Sequence, residues 1–195
     1  QIWELSRQHP HIIPFLRFEP QTITREQLRE LLSLGFKGIK LHSHSQQFHP
    51  DDPQFRWIFE EINKHHVPIL FHSKDSVMES MSDPRRILAL ARQFPEQIFV
   101  IGHAAGGGFW LYEEIVACPN VYVETSIFSI PKLFEEMHQR YGFDRFIYGS
   151  DFPYSHPEIE LLKIKRAKIP EEVKEKILFK NAQRILRMES VVVHQ

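Results

Sequence analysis

The chain has 195 residues, of which 42% are apolar and 25% charged, proportions that suit one globular domain with a real core. Lys and Arg number 24 against 25 Asp and Glu, and a formal net charge of -1 argues against a nucleic-acid partner. No apolar run approaches the ~20 residues of a membrane span, and the single cysteine, Cys118, excludes an intramolecular disulfide, so a reducing cytoplasm is the expected compartment.

In chain order, QIWELSRQHPH reads as the end of a helix leading into a strand at 12–18 (IIPFLRF). TREQLRELLSLG then carries Thr24 and Gln27 at capping-box spacing and Gly35 at its end, the signature of a helix. A second strand is expected at 37–42 (KGIKLH), followed by a helix in DPQFRWIFEEINKHH that places Trp57, Phe59 and Ile62 on its core side and His65 and His66 at its C-terminal end. The strand at 67–72 (VPILFH), the Pro-initiated helix DPRRILALARQF and the strands at 98–103 (IFVIGH), 121–126 (VYVETS) and 145–149 (RFIYG) continue the alternation. Two helical patterns, HPEIELLKIKRA and IPEEVKEKILFKNAQRILRM with Pro170 at its start, close the sequence before an uninformative tail, ESVVVHQ. Strand starts roughly 25–30 residues apart match βα units, so one parallel α/β domain over 1–195 is expected.

Alternating elements suit either an open doubly wound sheet or a closed barrel. Polar residues decide for the barrel, because His72, His103 and Asp151 end three strands, Lys40 and His42 end a fourth, and only a barrel points all its strand ends into one mouth. One histidine at a strand tip is ordinarily structural; the same design repeated at His72 and His103 weakens that account. With Asp151 after the last strand, they form a mixed nitrogen and oxygen set suited to Zn²⁺ or a related divalent ion, which lowers the pKa of a bound water toward ~7. Lys40, inside an apolar run, is expected to face inward with an altered pKa and to bind a substrate carboxylate or bridge two metals. His44 and His49 read as loop residues, Cys118 lacks a basic neighbour, and Gly106, Gly107 and Gly108 allow a close backbone approach without the spacing of a phosphate loop.

GFKGIKLHSH, VPILFHS, IGHAAGG, VYVETS and RFIYGSDFP, in that order, resemble the amidohydrolase superfamily, in particular the amidohydrolase-related group of metal-dependent hydrolases and aminocarboxymuconate-semialdehyde-type decarboxylases. The resemblance implies a distorted TIM barrel with the metal at its C-terminal mouth. It implies that His72 is the strand-five ligand, that His103 is an acid or base beside the metal or a ligand of a second ion, and that Asp151 is both ligand and proton acceptor. Lys40 matches the position of a bridging carboxylated lysine in two-metal relatives. The family's opening His-x-His strand and the strand after it do not precede residue 12, and HSH at 42–44 follows the strand-four motif instead. Six of eight strands are therefore expected, with the edges at 12–18 and 145–149 unpaired.

The leading expectation is a metal-dependent hydrolase that activates water against a C–O or C–N bond of a small polar substrate, using one or two divalent ions, zinc by donor type. Decarboxylation is the alternative within the same fold, and a non-catalytic partial barrel acting through protein contacts is the other. A small-molecule substrate and further copies of the chain are the expected partners, with no membrane or nucleic acid.

Overall fold

The computed structural model describes residues 2–73, 80–107, 111–128, 130 and 132–188. After α1 (Ile2–Gln8), six strands alternate with helices: β1 (Phe15–Leu16), α2 (Arg25–Ser33), β2 (Gly38–Leu41), α3 (Arg56–Asn63), β3 (Ile69–Phe71), α4 (Pro84–Gln93) and β4 (Phe99–Ile101). A tight turn, α5 (His103–Gly106), and α6 (Tyr112–Ala117) lead to β5 (Val121–Glu124), α7 (Leu133–Tyr141), β6 (Phe146–Ile147) and α8 (Pro157–Arg166). The expected final helix is one continuous run of three parts: α9 (Glu171–Glu175), a π-helical segment (Lys176–Lys180) and α10 (Asn181–Ile185).

Local signals behave as the sequence implies. Thr24 and Gln27 form both halves of the capping box, Gly35 follows α2 with φ 90°, and Asp83 caps α4 with Pro84 at its first position. Phe59 and Ile62 are buried, with Trp57 packed against their cluster.

The six strands form one parallel sheet in sequential order, the arrangement expected of consecutive right-handed βα units. Among the described residues β1 and β6 each pair with a single neighbour. The ladders are shorter than the apolar runs at 12–18, 37–42, 67–72, 98–103, 121–126 and 145–149, and local competition for backbone groups explains several of the early ends. Pro14 has no amide hydrogen to give β2. Ser126 gives its N–H to the Glu124 carboxylate instead of a strand, and Tyr148 gives its N–H to the carbonyl of Ile177.

Register and period-2 alternation sort the sheet into two faces. Ile39, Leu41, Ile69, Phe71, Phe99, Ile101, Val121, Val123 and Phe146 join the large core beneath the helices. Val100, Tyr122 and Ile147 occupy the other face with Ile185, and Leu70 packs against them. Lys40 pairs in register with Leu70, and so lies on this second face. Among the described residues no helix is long and apolar enough to cross a membrane.

Candidate active site

The sequence-predicted residues gather at the C-terminal ends of the strands. His42 follows β2 and His72 follows β3, and their rings stack 3.8 Å apart at 9°. His103 follows β4 by two residues, and its Nε2 lies 3.0 Å from His72 Nδ1. Its other nitrogen, Nδ1, lies 2.9 Å from the Ser126 hydroxyl. Three imidazoles therefore form one contiguous cluster.

His103 does not end a strand as expected: β4 stops at Ile101 because the chain enters a left-handed turn. His103, Ala104 and Ala105 have φ of 54°, 50° and 57°, continued by Gly106 and Gly107 at 65° and 82°. Glycine adopts this region freely, whereas each L-residue with a Cβ pays roughly 1–2 kcal/mol. Identifiable bonds hold the turn: the His103 N–H donates to Glu124 Oε2 at 3.1 Å, and the Tyr112 hydroxyl donates to the Ala104 carbonyl at 3.1 Å. Strain of this kind concentrates at functional sites.

Glu124 was not singled out by sequence reasoning, although it stands at the tip of an otherwise apolar strand, the same signal that marked His72. Its buried carboxylate also accepts the Ser126 N–H at 2.7 Å and the Ser126 hydroxyl at 2.9 Å. Gly149 makes the space, since a Cβ there would sit 1.8 Å from Glu124 Oε1. Gln46 is a second omission. It is buried, its side-chain oxygen accepts the His42 N–H at 2.6 Å, and its amide donates to the Phe18 carbonyl, which pins the loop after β2 to the end of β1.

Burial pushes the Lys40 amine below its ordinary pKa, opposed by the negative charges of Glu124 and then Asp151. His42 is likewise pushed down, first by burial and then by the Lys40 charge. Asp151 follows β6 in left-handed conformation (φ 50°) and is half-buried. Its connection to the cluster is electrostatic, through Lys40. His44 and His49 lie in the loop after β2, Cys118 is buried and in no disulfide, Gly108 lies outside the described residues, and so do residues 74–79 of the loop 73–83.

A divalent ion is consistent with the donor types but not with a finished coordination shell. Two nitrogens on one tetrahedral ion at ~2.0–2.1 Å lie about 3.3 Å apart, close to the His72–His103 spacing of 3.0 Å. Those two nitrogens, however, are hydrogen-bonded to each other, and among the described residues no three His, Cys, Asp or Glu side chains are gathered to hold a metal.

Solved structures show the same fold. The 5-carboxyvanillate decarboxylase of Sphingomonas paucimobilis superposes with a TM-score of 0.79 at 19% identity, over 96% of this chain and 70% of that one. A TIM-barrel protein of Bordetella bronchiseptica gives 0.79 at 21% identity, over 96% and 71%. The dihydroxybenzoic acid decarboxylase of Polaromonas sp. JS666, with bound manganese and the inhibitor 2-nitroresorcinol, gives 0.74 at 19% identity, over 96% and 73%. The sheet is thus the α/β sheet of TIM-barrel proteins. No curated protein sequence is significantly similar. A family model described as Amidohydrolase matches residues 4–188, nearly the whole length, and the chain belongs to the amidohydrolase family.

Proposed function

We propose that the chain carries the active site of a metal-dependent decarboxylase acting on a small aromatic carboxylic acid. The observation that carries this reading is the hydrogen-bonded imidazole pair, His72 and His103, with the half-buried Lys40 on the same face of the sheet as His72. Loss of carbon dioxide breaks a C–C bond and leaves the electron pair on carbon, where a proton must arrive. An imidazole is suited to deliver that proton near neutral pH. A charged Lys40, with its stem among apolar neighbours, is suited to hold an anionic group of the substrate. The left-handed turn after β4 and the Glu124 carboxylate hold His103 in place. The decarboxylase relatives favour this reaction over hydrolysis, the leading expectation from sequence.

His72, with Asp151 as a carboxylate donor, would hold the divalent ion, which supplies a Lewis acid for the substrate's oxygens. Zinc is the expectation from donor type, and manganese is the metal of the Polaromonas relative.

The test incubates the purified chain with manganese or zinc and a panel of hydroxylated benzoic acids, following carbon dioxide release. Amides and lactones serve as the hydrolysis panel. Carbon dioxide release that is lost in His103→Asn supports the reading. Cleavage of the second panel alone returns the assignment to hydrolysis, and no turnover with no bound metal supports a non-catalytic barrel.

A further inference from the structure

We propose that Glu124 and Ser126 are positioning residues that fix which ring nitrogen carries the proton in His103 and, through it, in His72. The inference rests on reading the strand-end cluster as the active site, and it follows from counting hydrogens. An ionised carboxylate only accepts hydrogen bonds, and Glu124 accepts from the His103 N–H, the Ser126 N–H and the Ser126 hydroxyl. A hydroxyl has one hydrogen. With that hydrogen on Glu124, the Ser126 oxygen meets His103 Nδ1 at 2.9 Å as an acceptor, so Nδ1 must carry a hydrogen.

A neutral imidazole protonated on Nδ1 has its lone pair on Nε2. His103 Nε2 is then the acceptor of the 3.0 Å bond, and His72 Nδ1 the donor. His72 in turn carries its lone pair on Nε2, the form in which an imidazole accepts a proton or binds a metal. Every hydrogen in the chain His72, His103, Ser126, Glu124 points toward the carboxylate. Reversing the order would turn the Ser126 hydrogen to His103 and leave two acceptor oxygens, Ser126 Oγ and Glu124 Oε2, facing each other at 2.9 Å with no hydrogen between them.

The surroundings keep the arrangement from relaxing. Glu124 and Ser126 are both buried, so water does not replace the missing partners. Gly149 admits the carboxylate and no other residue type would, because a Cβ falls on Oε1. The His103 backbone N–H donates to the same Oε2 that receives the hydroxyl, which ties the strained turn and the ring to one anchor. His42 stacks on the face of His72 and makes no hydrogen bond along this chain, so it limits the ring's rotation without choosing its tautomer.

The test is long-range nitrogen–proton NMR on the metal-free, histidine-labelled 195-residue chain at about pH 8, where ordinary imidazoles are neutral. His103→Asn and His72→Gln identify the two rings by loss of signal. Both rings should show the proton on Nδ1. Ser126→Ala removes the acceptor at 2.9 Å and leaves Glu124 Oε2 3.9 Å from His103 Nδ1, so the His103 proton should divide between Nδ1 and Nε2 and, because an Nε2–H faces His72 Nδ1, the His72 proton should divide with it. Ser126→Thr, which keeps the hydroxyl, should restore the original pattern. A wild-type His103 protonated on Nε2, or a folded Ser126→Ala chain with unchanged tautomers, would overturn the assignment; if Ser126→Ala does not fold, the wild-type pattern decides alone. The spectra need neither substrate nor metal, so they stand or fall independently of whether the reaction is a decarboxylation.

Discussion

Gly149→Ala should be among the most damaging single-methyl changes in the chain, for a reason that lies in a neighbour. The Gly149 backbone is not left-handed, so no conformational strain requires glycine there. The requirement is space: an added Cβ would lie 1.8 Å from Glu124 Oε1, 2.6 Å from Cδ and 2.9 Å from Cγ. Ordinary contact needs about 3.5–4.0 Å, so the carboxylate must retreat by roughly 1.5–2 Å. Bonds of 2.7, 2.9 and 3.1 Å to Ser126 and His103 do not survive such a displacement. Each hydrogen bond to a charged group contributes about 1.5–3 kcal/mol, so losing all three costs about 4.5–9 kcal/mol. That is a large part of a domain's ~5–15 kcal/mol. Urea unfolding followed by circular dichroism measures the loss, and the double mutant supplies the control. In a Glu124→Ala background the clash is gone, and Gly149→Ala should then cost less than about 0.5 kcal/mol. An equal cost in both backgrounds would refute the steric argument.

Asn120→Ala should lower stability by about 2–4 kcal/mol in the same assay, because one buried amide serves the carbonyls of Ala91, Phe94 and Gln97 at 3.0–3.1 Å and their partner is removed; an unchanged midpoint would mean that water replaces it. Glu61 is buried between α2 and α3, and hydrogen bonds from Arg29, then Lys64 and Arg25, hold its carboxyl well below the usual range. A depressed folded pKa gives stability that is present above the unfolded value of ~4.3 and lost as the pH falls toward the folded one. Glu61→Gln should therefore flatten the acid side of a melting-temperature profile between pH 7 and 3, and an identical acid slope would count against the cluster. Lys40→Met keeps the aliphatic stem and deletes the charge, so kcat/KM for an anionic substrate should fall ~10²-fold, while a neutral ester analogue should bind as before. Equal loss for both would make Lys40 a packing residue.

The fold was legible because its information is local and redundant. Each βα unit announces itself by an apolar run and by a helix start, and Thr24 with Gln27, Asp83 with Pro84 and Pro157 act within a few residues of where they stand. Strand lengths were not legible, since they depend on which group wins each N–H. Nothing in RFIYG says that Tyr148 will donate to Ile177, about thirty residues later in the chain. The left-handed turn at His103 was hidden for the same reason. HAAGGG permits that geometry at its glycines, but the bonds that hold His103 and Ala104 in it come from Glu124 and Tyr112.

For the candidate site, residue type and strand-end position were enough to bring His42, His72, His103 and Lys40 to one face of the sheet, but not to say how they meet. Spacing in sequence carries no information on whether two imidazoles point at a shared ion or at each other, and here His72 and His103 bond to each other. Glu124 was legible in principle, because a carboxylate interrupting VYVE at the same strand end as His72 and His103 obeys the rule that found them. What conceals such a residue is that it acts on neighbouring residues, mostly through their backbone N–H groups. It fills no gap in a ligand set, and the motif VYVETS assigns it no role, yet it accepts bonds from both His103 and Ser126 and dictates that residue 149 be glycine. A buried carboxylate without such partners would be expelled or neutralised, so its presence at a strand end implies donors on the neighbouring strands. Searching the sequence for a side-chain donor, here the Ser126 hydroxyl after β5, turns one unexplained charge into a prediction of a residue beside it, whereas the backbone N–H groups of His103 and Ser126 that complete the set carry no residue-type signal.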